Sequence, residues 1–339
     1  MSRSHDRDAL QACLAKDDAL AKRVAEQTLL ADLIGHGLLI PCGVPGVYGR
    51  GGVFEAVLDG FSDFVSRNTR DDGASRVHFP PVINRAYMER AEYFESFPHL
   101  AGLVYSFQGD DAQHLELIDR VQKGEPYGHM PRMTDLALTP AACHPLYPTC
   151  SGQLPERGRL IDLTSYCFRH EPSGDPARMQ MFRMREHVRL GTPNQVQSWR
   201  ESWLERGRAL LTSLGLSVTE AVANDAFFGR GGRMLAANQR QQELKFELVT
   251  PITSEASPTA IMSFNYHQEH FTRPYAIHGH DGTIAHSACL GFGLERIVIA
   301  LFKTHGFDPT RWPEALQQRL CISDSPAVSA PNSEPTGVT

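Results

Sequence analysis

The sequence predicts an α+β fold built as one large unit over residues 53–322, and three observations carry that expectation. Apolar residues recur at helical spacing in "VFEAVLDGFSDFVSRN" (53–68), whereas "RLIDLTSYCFRHE" (159–171) and "KFELVTPI" (245–252) are β-compatible and carry no helical stripe. No internal repeat or sharp linker divides the chain. A helix and loop (1–52) are expected to pack on this unit, and a polar, Pro/Ser-rich tail (323–339) is expected to be disordered.

The elements follow in order. Residues 8–34 read as a helix, with Leu10, Cys13, Leu14, Leu20, Val24, Leu29, Leu30 and Leu33 near one face and Gly35 and Gly37 ending it. "PCGVPGVYGRGG" (41–52) holds five glycines and two prolines and is read as a surface turn, with a ligand cradle as the alternative. Residues 53–68 form an amphipathic helix through Val53, Phe54, Val57, Leu58, Phe61, Phe64 and Val65. In "RVHFPPVINRAYMERAEYFESFPH" (76–99) a short strand is broken by Pro80 and Pro81, and a helix starts near Asn84. Strands then alternate with helices to about residue 253, among them "QSWRESWLERGRALLTSLGL", a helix ending at Gly215.

Composition narrows the function classes. The chain has 339 residues, 41% hydrophobic and 21% charged, which is ordinary for a globular protein. No run approaches the roughly 18 apolar residues of a membrane helix. The N-terminus mixes both charge signs without the apolar core of a secretory signal, so a cytoplasmic location is expected. A net charge of −6 argues against broad, salt-driven nucleic-acid binding. The seven cysteines are widely spaced with no CxxC pair, so they describe neither a disulfide framework nor a local zinc finger.

Two segments carry chemistry. In "SYCFRHEPSGDPARMQMFRMREHV" (165–188), Arg169 and Glu171 are two apart and read as sharing one face of a strand. Arg178 and Phe182 follow on the expected return strand, after a loop rich in Gly, Pro and Asp. A surface ion pair would suffice for Arg169 and Glu171 alone. The second arginine and the aromatic complete the set a nucleotide needs: cations for phosphates, an acceptor for the adenine amino group and a flat surface for the ring. In "HSACLGFGLERIVIALF" (286–302), Gly291 and Gly293 permit close backbone approach and Arg296 opens an apolar helix. A lone GxG usually marks a turn; with the hairpin, the two elements could close on ATP from both sides.

Together these segments resemble class II aminoacyl-tRNA synthetases. "FRHE" through "RMQMF" resembles motif 2, "GFGLER" motif 3 and "VHFPPVINRAYMERA" the proline-bearing motif 1. The chain is most similar to the zinc-dependent, seryl-tRNA-synthetase-like ligases that load an amino acid onto a carrier protein, from about Val53 to Trp312, including "LTPAACHPLYP" and "SFNYHQEHF". The resemblance implies a class II catalytic domain, an antiparallel sheet flanked by helices, over 53–322, and a homodimer through motif 1. It implies Arg169 on the α-phosphate, Glu171 on the adenine amino group, Arg178 on the outer phosphates, and Phe182 and Arg296 on the two adenine faces. Arg169 and Arg296 then act electrostatically, because carboxylate attack on ATP needs positioned positive charge and no nucleophilic side chain.

The resemblance further implies zinc held by Cys143, Glu186 and Cys289, with a fourth position open to the α-amine of the substrate. Spacings of 43 and 103 residues hide such a trio from any local metal motif. His144 and His187 adjoin two of the three and remain alternatives. Ala260 stands near the slot where seryl enzymes place an acidic metal ligand, which leaves Glu247 as the candidate for the Mg²⁺ that accompanies ATP. Ser263 and Asn265 are candidates for the amino-acid pocket, and a small substrate, glycine or alanine, is expected.

The acceptor is read from what flanks the motifs. The N-terminal helix lacks the sustained heptads of a tRNA-binding coiled coil, and the chain is acidic, so a phosphopantetheine-bearing acyl or peptidyl carrier protein is expected and tRNA is not. "FFGRGGRMLAANQRQQELKFE" (227–247) carries Arg230, Arg233, Arg240 and Lys245, which is either a solvated charged face or a docking surface led by Arg230 and Arg233. A compact aminoacyl-tRNA synthetase and a non-catalytic regulatory paralogue are the alternatives. Retention of all five candidate ATP residues weighs against the second.

Overall fold

A seven-stranded sheet organises the molecule, whose computed structural model describes the backbone of residues 2–322 and the side chains of residues 18–322. Its strands are β1 (Ser75–His78), β2 (Arg159–Phe168), β3 (Met181–Gly191), β4 (Thr219–Val222), β5 (Lys245–Thr250), β6 (Thr259–Gln268) and β7 (His286–Gly293). They lie in the order β4-β5-β6-β7-β3-β2-β1, with every pair antiparallel except the edge pair β1–β2. This is the α+β, class II-like architecture, an antiparallel sheet flanked by helices. The side chains of Leu10, Cys13 and Leu14 and the whole of the tail 323–339 lie outside the described residues.

The longer helices are α1 (Ser2–Gly35), α2 (Gly52–Asn68), α3 (Asp111–Lys123), α4 (Pro193–Thr212), α5 (Gly229–Gln241) and α6 (Leu294–His305). Three of them, α2, α4 and α6, cover one face of the sheet. Phe54, Val57, Leu58, Phe61 and Val65 of α2 are buried there with Trp203, Met262, Phe264, Leu290 and Phe292, and each such side chain contributes about 1.5–3 kcal/mol by leaving water. The stretch 53–68 therefore folds as its periodicity requires. Helix α4 begins at a capping box, with Thr192 and Gln195 exchanging side-chain hydrogen bonds to backbone amides around Pro193. Gly207 then lets it lie close, since a Cβ there would stand 2.9 Å from Met262 and Phe264.

Helix α1 differs from the expected stripe. Leu29 and Leu33 are buried, while Leu20 and Val24 are more than half exposed, so among the described side chains only the end of the helix meets the core. Two prolines separate β1 from the strand Val82–Asn84, and Asn84 caps the following helix by accepting from the Ala86 amide at 2.9 Å. That strand joins Leu103–Ser106 and Arg132–Leu138 in a separate three-stranded sheet. Among the described residues no helix is long and apolar enough to cross a membrane.

A buried ion pair fastens α2 to the sheet. Arg185 donates to both carboxylate oxygens of Asp162, at 2.9 and 2.6 Å, and to the Ser62 carbonyl of α2 at 2.5 Å. Burial works against the Asp162 charge, but the adjacent His187 ring and the two hydrogen bonds from Arg185 outweigh it and hold the carboxyl well below its usual range. Asp162→Ala, which strands the Arg185 charge, should lower the unfolding free energy by about 3–5 kcal/mol in urea melts near neutral pH. Because the folded carboxyl titrates below its unfolded value, that difference should persist down to about pH 4 and shrink only with further acid.

Candidate active site

The site occupies the other face of the sheet, and strand register assembles it. Side chains alternate between faces, so Phe292, Leu290, Phe264 and Met262 go to the helices while their neighbours go to the cavity. Pairing puts Glu186 beside Gly291, Gly291 beside Ser263, and Ser263 beside Glu247, a row that crosses four strands. Next to it runs a second row, Cys289, Asn265 and Lys245. These residues line a cavity of about 560 Å³ with Cys143, Arg169, Glu171, Phe182 and Arg296. Gly291 keeps its floor open: a Cβ there would lie 3.2 Å from Ser263 Oγ and 3.3 Å from Met184 Cε.

Cys143 joins the rows from the turn after Pro140. Its Sγ, a Glu186 carboxylate oxygen and the Cys289 Sγ lie within 4.8 Å of one another, and all three residues are buried. Both carboxylate oxygens of Glu186 also accept backbone amides, from Ala142 at 3.2 Å and Cys143 at 3.0 Å, which fixes the carboxylate. Burial, then the Cys289 sulfur, pushes the Glu186 carboxyl up to about 8. A hydrogen bond between the two free thiols pushes Cys143 up and holds Cys289 down. Three crowded acidic donors in a dry pocket call for a cation. Two sulfurs and one carboxylate, open on one side, form a donor set that fits zinc in a catalytic rather than a structural coordination.

Neither neighbouring histidine takes part in that cluster. His187 is fully buried on the helix face against Trp203 and Phe292, with Nε2 3.4 Å from Asp162. His144 leaves the Cys143 turn in another direction, edge-on to Tyr93 and Phe271, where burial and then His267 hold its ring down to about 3.

Arg169 and Arg296 line the same cavity where the loop after β2 meets α6. Strand β2 ends at Phe168, so Arg169 and Glu171 lie just beyond it and not on one strand face as expected; Arg178 likewise precedes β3. Pro172 and Pro176 offer no ladder N–H, and pairing stops after the Arg169 amide meets the Gln180 carbonyl at 2.9 Å. The side chains still converge. The Arg169 guanidinium lies 5.5 Å from the Phe182 ring centroid, Arg178 pairs with Glu171 at 3.5 Å on the rim, and Arg296 donates to the carbonyls of Ala177 (2.7 Å) and Ala260 (3.0 Å). Gly291 and Gly293 belong to β7 and mark no turn.

Sequence reasoning missed the group that locks this region together. Glu295, 2% exposed, accepts from the Arg183 amide at 2.7 Å and its Nε at 2.9 Å, and lies 3.1 Å from Arg50. Arg183 forks onto Glu55 at 2.6 and 2.7 Å. The Gly/Pro loop 41–52 is accordingly a support and no free surface turn: its Tyr48–Arg50 pairs as a short strand with Leu39–Pro41, and its Gly46 and Pro45 carbonyls accept from the Gln180 backbone and side chain, each at 2.8 Å. The one available signal was the acid directly before Arg296. Its partners lie 112 residues or more away.

Comparison with known proteins then places the chain. No family model matches it. It is 40% identical over 303 residues to amino acid:acyl-carrier-protein ligase 1 of Bradyrhizobium diazoefficiens, covering 89% of this chain and 91% of that protein. Ligase 2 of the same organism is 42% identical over 298 residues, 87% and 88% of the two chains. The chain belongs to the amino acid:acyl-carrier-protein ligase family. A type-2 serine–tRNA ligase of Methanopyrus kandleri is 27% identical, and this ligase spans 54% of its length. The solved Methanopyrus kandleri seryl-tRNA synthetase in complex with tRNA superposes with a TM-score of 0.74 at 22% identity, over 87% of this chain and 60% of that one, which gives the class II fold.

The remaining candidates of the ligase divide between cavity and surface. Ser263 and Asn265 line the cavity beside Cys289, and Glu247 lies 3.4 Å from Lys245. Arg230 and Arg233 are exposed on α5, outside the cavity, while Leu235, Asn238 and Gln239 of the same helix line it. Asp225, ahead of α5, binds Lys245 of β5 at 2.5 Å and Gln239 of α5 at 2.8 Å, which ties the helix to the sheet. Ligase purified without chelators should carry about one zinc per chain, the count a single three-residue site allows. Cys143→Ala and Cys289→Ala should each abolish it in metal analysis.

Proposed function

We propose that this ligase activates a small amino acid, glycine or alanine, as its aminoacyl adenylate and transfers it to the phosphopantetheine thiol of a carrier protein. The observation that carries the reading is that the Cys143–Glu186–Cys289 trio and the Arg169–Phe182–Arg296 group open into one cavity. An amine-binding centre and a nucleotide clamp then share the space of a small substrate. The names of its relatives, carrier-protein ligases at 40% and 42% identity, support the acceptor.

In this reading adenine lies between Phe182 and Arg296 with its amino group toward Glu171, Arg169 meets the α-phosphate, and Arg178 meets the outer phosphates with Mg²⁺. Cys143, Glu186 and Cys289 would hold zinc, which when bound supplies a Lewis-acid contact for the α-amine. The substrate carboxylate forms a bond to the α-phosphorus and pyrophosphate leaves. Sulfur of the carrier thiol then forms a bond to the activated carbonyl, AMP leaves, and the thiol proton passes to solvent. Each step calls on fixed positive charge, which Arg169 and Arg296 provide without reorganising.

Exposed Arg230 and Arg233, on a helix whose other side lines the cavity, support docking of an acidic carrier there. A homodimer is supported by exposed apolar side chains on α3, Leu115, Ile118 and Val121, and on the three-stranded sheet, Leu103, Tyr105, Met133 and Leu136.

With ATP, Mg²⁺ and labelled glycine or alanine, label should reach phosphopantetheinylated carrier, be removed by hydroxylamine, and be absent with unmodified carrier. RNase-sensitive label on tRNA alone would overturn the reading. Arg230→Ala and Arg233→Ala should each slow transfer about tenfold, the loss of one charge-assisted hydrogen bond, with ATP–pyrophosphate exchange unchanged.

A further inference from the structure

Cys289 has two neighbours that do not belong to the trio. Asn265 Nδ2 donates to its Sγ at 3.3 Å, and His267 Nε2 lies 3.5 Å from it. The other ring nitrogen, Nδ1, lies 3.2 Å from Ser287 Oγ and 3.3 Å from the Tyr147 hydroxyl. Ser287 and Tyr147 are fully buried, and the Tyr147 ring stacks on Phe271 at 4.6 Å.

The chemistry of these partners decides the tautomer. A metal-bound cysteine is a thiolate and accepts hydrogen bonds only, so the His267 nitrogen facing it must be the one that carries hydrogen. In a neutral imidazole Nδ1 is then an acceptor, and it faces two hydroxyls that can donate. The strand is bent to make this possible. Pairing of β6 with β7 jumps from Tyr266–Ala288 to Gln268–Ser287, which leaves His267 as the extra residue of a bulge, and Gln268 follows with φ of 53°. Bulges re-aim a side chain next to a site, and a left-handed glutamine is a conformation that surrounding contacts must impose. His267 does not belong to the cluster of mutually close donor atoms, which is confined to Cys143, Glu186 and Cys289.

We infer that His267 is a positioning residue for the Cys289 thiolate: held as the Nε2–H tautomer by Ser287 and Tyr147, it works with Asn265 to fix the sulfur and set how tightly zinc is held. The inference rests on the zinc reading proposed above.

The test compares zinc-loaded wild-type protein with His267→Ala in competition with a chromophoric chelator, alongside thermal melts. His267→Ala should weaken zinc about 10- to 100-fold, the usual effect of removing such a partner, and raise KM for the amino acid while KM for ATP holds. His267→Gln, whose carboxamide places an N–H near the same point, should recover most of the affinity. Tyr147→Phe keeps the ring stack and should give a smaller loss in the same direction, which preserves the test if His267→Ala does not fold. Wild-type zinc affinity in a folded His267→Ala would overturn the inference. So would imidazole scattering in the X-ray absorption spectrum of the wild-type zinc site, since His267 would then be a ligand. A wild-type protein with no affinity for zinc fails differently, in the parent protein before any substitution, and removes the zinc reading and this inference together.

Discussion

Pairing among β3, β7 and β6 places a carboxylate, a glycine and a serine in one row and a thiol and an amide in the next, and everything else at the site depends on that register. Side-chain direction alternates along each strand, so a slip of one residue would send Glu186 and Cys289 among the helices and bring His187 and Leu290 into the cavity. The helix face prevents it. Phe292, Phe264 and Trp203 fill that side almost without exposure to water, and Arg185 spans from Asp162 to Ser62, so the arrangement that buries the aromatics is the one that brings Glu186 and Cys289 into the cavity.

The arginine group is held differently. Arg169, Glu171 and Arg178 stand on a loop that the sheet ladder no longer supports, and their positions come from groups outside it. Glu295, in the first turn of α6, binds the backbone of β3 at Arg183 and approaches Arg50 of the N-terminal loop, so helix, strand and loop meet on one buried carboxylate. Arg296, the next residue, inherits that placement. A buried acid with three donors is costly to orphan, which makes this a stiff joint beneath the arginines.

The sequence was most legible where local physics decides. The 53–68 helix followed from its apolar period, the β2 strand from its lack of one, and the break before Val82 from two prolines. It was less legible at β2's end, because hydrophobic pattern does not reveal where ladder donors run out. The trio could not be read from spacing at all, since its members meet only after β3 pairs with β7 and the Cys143 turn folds against them, and resemblance supplied what spacing could not. The Glu295 network and the bulge at His267 were missed for the same reason. A buried carboxylate and an extra strand residue look unremarkable until their distant partners are in place.

The charge layout of the cavity carries one more step of the argument. Arg169 and Arg296 and the acidic donors of the trio line one space together with Ser263, Asn265 and Met184. A simple carboxylic acid could meet the arginines but would leave the trio without a partner. An α-amino acid presents a carboxylate and an amine on adjacent atoms and can satisfy both groups at once. In the proposed reaction, selection for the amine and orientation of the carboxylate oxygen toward the phosphorus are then the same event, because one molecule is held through both groups.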